Sequence, residues 1–232
     1  MVPWKDFLKK FGVKNSMKLA KGSKSWILSS LLSGFVFFIL SLFLFTSDVG
    51  YVLFLVSIFL FLLTVFFIMF FRDPERNIGK GIVAVADGKI REISELTDKD
   101  VGKSILISTF MNVHNVHVNR MPFDGEIIKT EHKHGFHLPA FKKESERNER
   151  VIMIVDSRIG IYKIVLIAGT LARRIVPYIK KNDKRKKGER IGIIRLGSRV
   201  DIYLPKKSIK KVLVEKKDRV IAGKDSIAEI ND

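Results

Sequence analysis

The stretch RIGIIRLGSRVDIYLP, Arg190 to Pro205, is apolar, rich in β-branched residues and closed by a proline, so it reads as a strand. A Gly-Ser pair, Gly197-Ser198, interrupts it between Arg195 and Arg199. Glycine weakens a strand interior and marks a bulge or a point where something approaches the backbone closely. Similar short apolar runs fill the chain from Gly81 onward. GIVAVADGKIREI, KSILISTF, VHNVHVN, GEIIKT, RVIMIVDS, IGIYKIVLIAG, KKVLVEKKDRVIAG and SIAEI all read as strands. Turn signals at Asp87-Gly88, Asp124-Gly125, Arg158-Ile159-Gly160 and Lys187-Gly188 separate them. Only GTLARRIVPYIK hints at a helical period. Residues 72–232 are therefore expected to form a mainly β domain, a small barrel or sandwich.

Residues 26–71 differ in kind. WILSSLLSGFVFFILSLFLF (Trp26–Phe45) and VGYVLFLVSIFLFLLTVFFIMFF (Val49–Phe71) carry no charge, and the connector between them carries one, Asp48. Each run is about as long as the roughly 20 residues a helix needs to cross a bilayer, so 26–45 and 49–71 are expected to form a transmembrane hairpin. The preceding segment, 1–25, holds seven lysines against Asp6; Arg72 and Arg76 follow the second span, and the connector has no Lys or Arg. By the positive-inside rule both ends lie on the cytoplasmic face of a cell membrane.

The net charge of +18 divides as +6 before the spans, −1 within them and +13 after. Beside a membrane the nearest anion is the lipid headgroup, so an anionic lipid surface, and not nucleic acid, is the expected partner. The run KKNDKRKKGER (Lys180–Arg190) reads as a solvated hairpin. The absence of cysteine excludes thiol catalysis, disulfides and Cys-based metal sites.

Candidate chemistry lies at Asp87, at His114 and His117, in HKHGFHLPAFKKESERNERV, and at Gly197-Ser198. Histidines three apart face opposite sides of a regular strand, so a bend must separate His114 from His117 if both serve one site. A metal would need further ligands, and His132, His134 and His137 have no fixed spacing, so no metal is expected. Taken singly, Asp87 is a hairpin-turn residue, Ser198 a strand serine and the histidines polar residues at a strand entrance. Together they supply the parts of a nucleophilic triad. The sequence LGSR lacks the G-x-S-x-G elbow of hydrolases. The carbonyl nearest an activated Ser198 is that of Gly197, where the missing Cβ permits strained dihedrals. That suggests self-cleavage of the Gly197-Ser198 bond.

These residues resemble the phosphatidylserine decarboxylases, in the short form that includes archaetidylserine decarboxylases. FFRDPER (Phe70–Arg76), VADGKI, HNVHVNRMPFDG, SERNERV (Ser145–Val151), IAGTLARRIV (Ile167–Val176) and KKGERIGIIRLGSRVDIYLP carry the likeness in order along the chain. The resemblance implies a proenzyme that cuts itself into a large chain, 1–197, and a small chain, 198–232. It assigns Asp87 to orienting His117, His117 to deprotonating Ser198, and Ser198 to attack on Gly197. Elimination and hydrolysis would then leave a pyruvoyl group at Ser198, which forms a Schiff base with the substrate serine and replaces pyridoxal phosphate as electron sink. His114 would be the acid that protonates the substrate carbon, and Arg199 or Arg195 could meet the lipid phosphate. The implied substrate is a membrane phospholipid, archaetidylserine or phosphatidylserine, and family members often pair as homodimers. Arg199 departs from the LGST of many members, and no role for Asn148, Glu149 or Arg150 follows from the sequence. Two other readings stand beside this one: a non-enzymatic, membrane-anchored β-domain that binds anionic lipid or a protein partner, and a serine or metal hydrolase.

Overall fold

The computed structural model describes residues 18–135, 148–169, 174–195 and 198–231. Gly197, His137, residues 1–17, and parts of the SERNERV and IAGTLARRIV motifs lie outside the described residues. The chain divides into two compact units, 1–75 and 76–232.

In the first unit, helices α1 (Lys24–Phe43) and α2 (Asp48–Phe70) are both long and apolar enough to cross a membrane. Ser47 caps α2 by accepting from the Gly50 N–H at 3.2 Å. Small residues make up most of what the helices bury: Ser30, Gly34 and Ser41 on α1, and Gly50, Ser57 and Thr64, spaced by sevens, on α2. Thr64 Oγ1 donates to Ser30 Oγ at 2.9 Å across that seam. Large side chains such as Phe43, Phe59 and Leu62 are exposed instead. A soluble hairpin buries its large apolar groups; small residues inside and large ones outside is the membrane pattern. Strands β1 (Lys18–Leu19) and β2 (Arg72–Asp73) pair antiparallel within this unit.

The second unit is mainly β, with a curled half-barrel sheet. Its strands are β3 (Ile82–Val83), β4 (Gly88–Asp98), β5 (Gly102–Met111), β6 (Val118–Arg120), β7 (Gly125–Lys133), β8 (Arg150–Asp156), β9 (Tyr162–Ala168), β10 (Ile175–Pro177), β11 (Lys184–Arg185), β12 (Arg190–Ile194), β13 (Ser198–Pro205), β14 (Ile209–Val212), β15 (Arg219–Val220) and β16 (Ser226–Ile230). An antiparallel sheet runs β11-β7-β8-β9-β13-β5-β4-β15, with two smaller sheets, β10-β12-β6 and β14-β16-β3.

The interrupted strand sits in the middle of the large sheet. β13 pairs with β5 along its whole length and with β9 from Ser198 to Tyr203. Because successive strand residues face opposite sides, Val200, Ile202 and Leu204 enter the core with Ile107, Ile164 and Leu166. Arg199, Asp201 and Tyr203 take the other face. Each such buried aliphatic side chain contributes about 2 kcal/mol. Ser198 falls on the core-facing side, at the first position of the strand.

Candidate active site

Ser198 is fully buried and held on both sides, opposite Met111 of β5 and Ala168 of β9. Its hydroxyl donates to Met111 Sδ at 3.1 Å. A thioether is a weak acceptor, so this contact places the hydroxyl without tying it up. Among the described residues β13 runs from this serine. Gly197 is the residue before it.

His117 follows a turn. Asn115 N–H donates to the Asn112 carbonyl at 2.9 Å, and Asn112 N–H to Asn115 Oδ1 at 2.8 Å, closing the loop between β5 and β6. This is the bend that two histidines three apart require. His114 lies exposed on the turn, whereas His117 is fully buried beyond it. His117 Nδ1 is 2.9 Å from the Asn115 carbonyl. A carbonyl only accepts, so Nδ1 carries a proton in this contact.

Asp87 reaches the same region through the backbone. Val83 N–H donates to the Pro122 carbonyl at 3.0 Å and Arg120 N–H to the Val85 carbonyl at 2.8 Å. Asp87 stands just ahead of β4, whose Lys89 pairs with Phe110 of β5, the neighbour of the Met111 that faces Ser198. Gly88 is there for closeness, not for a hairpin turn: a Cβ on it would meet the Phe110 carbonyl oxygen at 2.1 Å. Asp87 is buried, and Arg76 grips it in a fork, Nη1 to Oδ1 at 2.5 Å and Nη2 to Oδ2 at 2.8 Å. The Ala222 N–H donates to Oδ1 as well, at 2.8 Å. Among the described residues these are the partners of the carboxylate, and the hydrogen bond to His117 expected from the resemblance is not formed. The Asn115 carbonyl, which no sequence signal singled out, is the acceptor the imidazole Nδ1 meets.

Asn148 and Glu149 close the same end of the sheet. Asn148 Nδ2 donates to the Ala168 carbonyl at 2.7 Å, and Ala168 N–H donates to the Glu149 carbonyl at 2.9 Å. Glu149 Oε1 lies 2.8 Å from His132 Nε2 and accepts from Ile175 N–H at 3.3 Å. Both side chains thus fix the chain on the Ala168 side of Ser198. Among the described residues no three His, Asp or Glu side chains gather as metal ligands.

The two arginines that flank the Gly-Ser pair part company. Arg195 N–H donates to the Arg174 carbonyl at 3.3 Å, and burial, then the nearby Arg174 charge, lower the pKa of its guanidinium. Arg199 faces away from the Ser198 side chain and donates from Nη2 to Asp201 Oδ2 at 2.9 Å. There it lines a cleft of about 660 Å³ with Lys89, Arg91, Phe110, Lys216 and Lys217, behind the Ser198 row and not over it.

The fold and site define a protein with two helices able to span a membrane, joined to a mainly β domain that buries a serine, a histidine and a clamped aspartate. Residues 63–228 match the family model described as phosphatidylserine decarboxylase, and the chain belongs to that family. It is 41% identical over 215 residues to a Methanosarcina barkeri protein named as a putative archaetidylserine decarboxylase proenzyme, covering 91% of this chain and 98% of that one. It is also 46% identical over 155 residues to a phosphatidylserine decarboxylase proenzyme of Streptomyces coelicolor, covering 66% of this chain and 68% of the relative.

Proposed function

We propose that the chain is a self-cleaving, pyruvoyl-dependent decarboxylase of the serine headgroup of a membrane phospholipid, archaetidylserine or phosphatidylserine. The observation that carries this reading is Ser198: buried, first in its strand, paired on both sides and donating its hydroxyl to a weak acceptor. In processing, His117 Nε2 takes the hydroxyl proton while Ser198 Oγ bonds to the Gly197 carbonyl carbon. The Gly197-Ser198 C–N bond breaks as the amine takes up a proton, leaving an ester. Loss of the Ser198 α-proton and of the Gly197 carboxylate follows; water then replaces the nitrogen as ammonia, and the new N-terminus is a pyruvoyl group.

The site fits such a group. Cutting before Ser198 leaves β13 between β5 and β9, so the small chain, 198–232, stays a central strand and its new terminus stays pinned. The pyruvoyl group supplies an electron sink as carbon dioxide leaves the substrate serine. His114, exposed on its turn, moves a proton to the substrate α-carbon, help typically worth about 10²–10⁴ in rate. Arg195, with the Arg174 charge nearby, is the arginine we assign to the lipid phosphate. Hairpin orientation by the basic flanks sets the domain on the cytoplasmic face, and the lysines and arginines of the cleft around Arg199 suit an anionic headgroup.

Electrophoresis of the purified protein tests the proposal. The wild type gives two chains and Ser198→Ala one, and the wild type releases carbon dioxide from one or both serine lipids in mixed micelles. A wild-type chain that stays whole contradicts it. His114→Ala is expected to cut normally and to decarboxylate poorly.

A further inference from the structure

We propose that Arg76 is a positioning residue for self-processing, acting through Asp87; this rests on the reading that Asp87 serves His117. Arg76 ends the FFRDPER segment, and nothing in the sequence connects it to Asp87. In the structure the two side chains are buried together, 7% and 11% exposed. The pairing is bidentate, at 2.5 and 2.8 Å, a geometry that fixes the plane of the carboxylate as well as its distance.

An ionised carboxylate offers about four acceptor positions. Arg76 takes one on each oxygen and the Ala222 N–H takes a second on Oδ1, which leaves one position, on Oδ2. The clamp therefore does more than neutralise a buried charge. It removes the rotational freedom of Asp87 and restricts it to one further donor, just ahead of the strand that pairs beside Met111, the residue opposite Ser198. Arg76 Nη1 also donates to the Ala222 carbonyl at 2.6 Å. Ala222 lies C-terminal to the cut and Arg76 and Asp87 lie before it, so the clasp joins both product chains and outlasts scission.

The experiment follows processing of the full-length chain in detergent, as appearance of the small chain with time. Arg76→Met is expected to slow it about 10²-fold, the scale of loss that a small misplacement of a catalytic group causes. Arg76→Lys, which keeps the charge but cannot make the fork, is expected to fall between. The decisive arm is a double-variant cycle. In an Asp87→Asn background, Arg76→Met should change the rate less than about two-fold, because the residue it acts through is already disabled. A purely structural arginine would slow processing equally in both backgrounds, and that result overturns the proposal. So does a folded Arg76→Met protein that cuts at the wild-type rate. If Arg76→Met does not fold, the cycle is run with Arg76→Lys and the same two outcomes decide. A wild-type chain that never cuts would instead sink the decarboxylase reading itself, which separates the two failures.

Discussion

Two buried carboxylates in the β unit are each gripped by an arginine, and the pairs differ in reach. Arg199 and Asp201 sit two residues apart on one strand, with Ser108 Oγ donating to the second oxygen at 2.6 Å. Arg76 and Asp87 are 11 residues apart and recruit Ala222, another 135 residues along. The first pair lies on the outer face of β13, across the sheet from the Ser198 side chain. The second lies just ahead of β4, which pairs with β5 beside the residue that faces Ser198. Similar chemistry thus serves two ends: one pair satisfies a charge within a strand, and the other ties distant segments into a site.

Removing the carboxylates is the strongest way to break the comparison. Asp87→Asn is expected to slow self-processing about 10²–10⁴-fold, while Asp201→Asn leaves it within a few-fold; equal losses on a time-resolved gel would erase the distinction. Next comes stability. Arg199→Leu leaves Asp201 buried without its main counter-charge and is expected to cost about 3 kcal/mol, read as a lowered unfolding midpoint, with processing intact in the folded fraction.

The smallest effect is in pH. Burial raises the pKa of Asp201 above its ordinary 3.8, and Glu92 adds to the rise, while Arg199 and Ser108 oppose it. A raised carboxylate binds its proton more tightly when folded than when unfolded. Its contribution is therefore fully present below the ordinary value and is lost as pH rises through the raised one. The midpoint of the wild type, relative to Asp201→Asn, should fall across that window; a rise would show that the ion pair outweighs burial.

Legibility followed the same division between local and distant. The apolar runs marked out the helix pair with ends shifted by one to two residues, because hydropathy changes gradually there while a cap such as Ser47 fixes the true start of α2 through a contact within one turn. Alternation revealed the β class and β13 itself. Runs read as single strands proved to be two where a loop intervenes: GIVAVADGKIREI divides into β3 and β4 around Ala84–Asp87, and KKVLVEKKDRVIAG into β14 and β15. The hinted helix in GTLARRIVPYIK gives way, where described, to strand β10, whose Ile175 pairs with Ile194. Ser198, His117 and Asp87 could be picked out by residue type and resemblance. Arg76, Met111, the Asn115 carbonyl and the Asn148-Glu149 brace could not, because each acts through a contact made only once the sheet has brought remote segments together.

The most direct test is the intact mass of the chains in a freshly purified sample. The account predicts a fragment matching residues 198–232 but lighter by the exchange of the serine amine and hydroxyl for a single keto oxygen, with a ketone that reacts with hydroxylamine. A single mass for residues 1–232, or a fragment that begins with unmodified serine and shows no carbonyl reactivity, would contradict it.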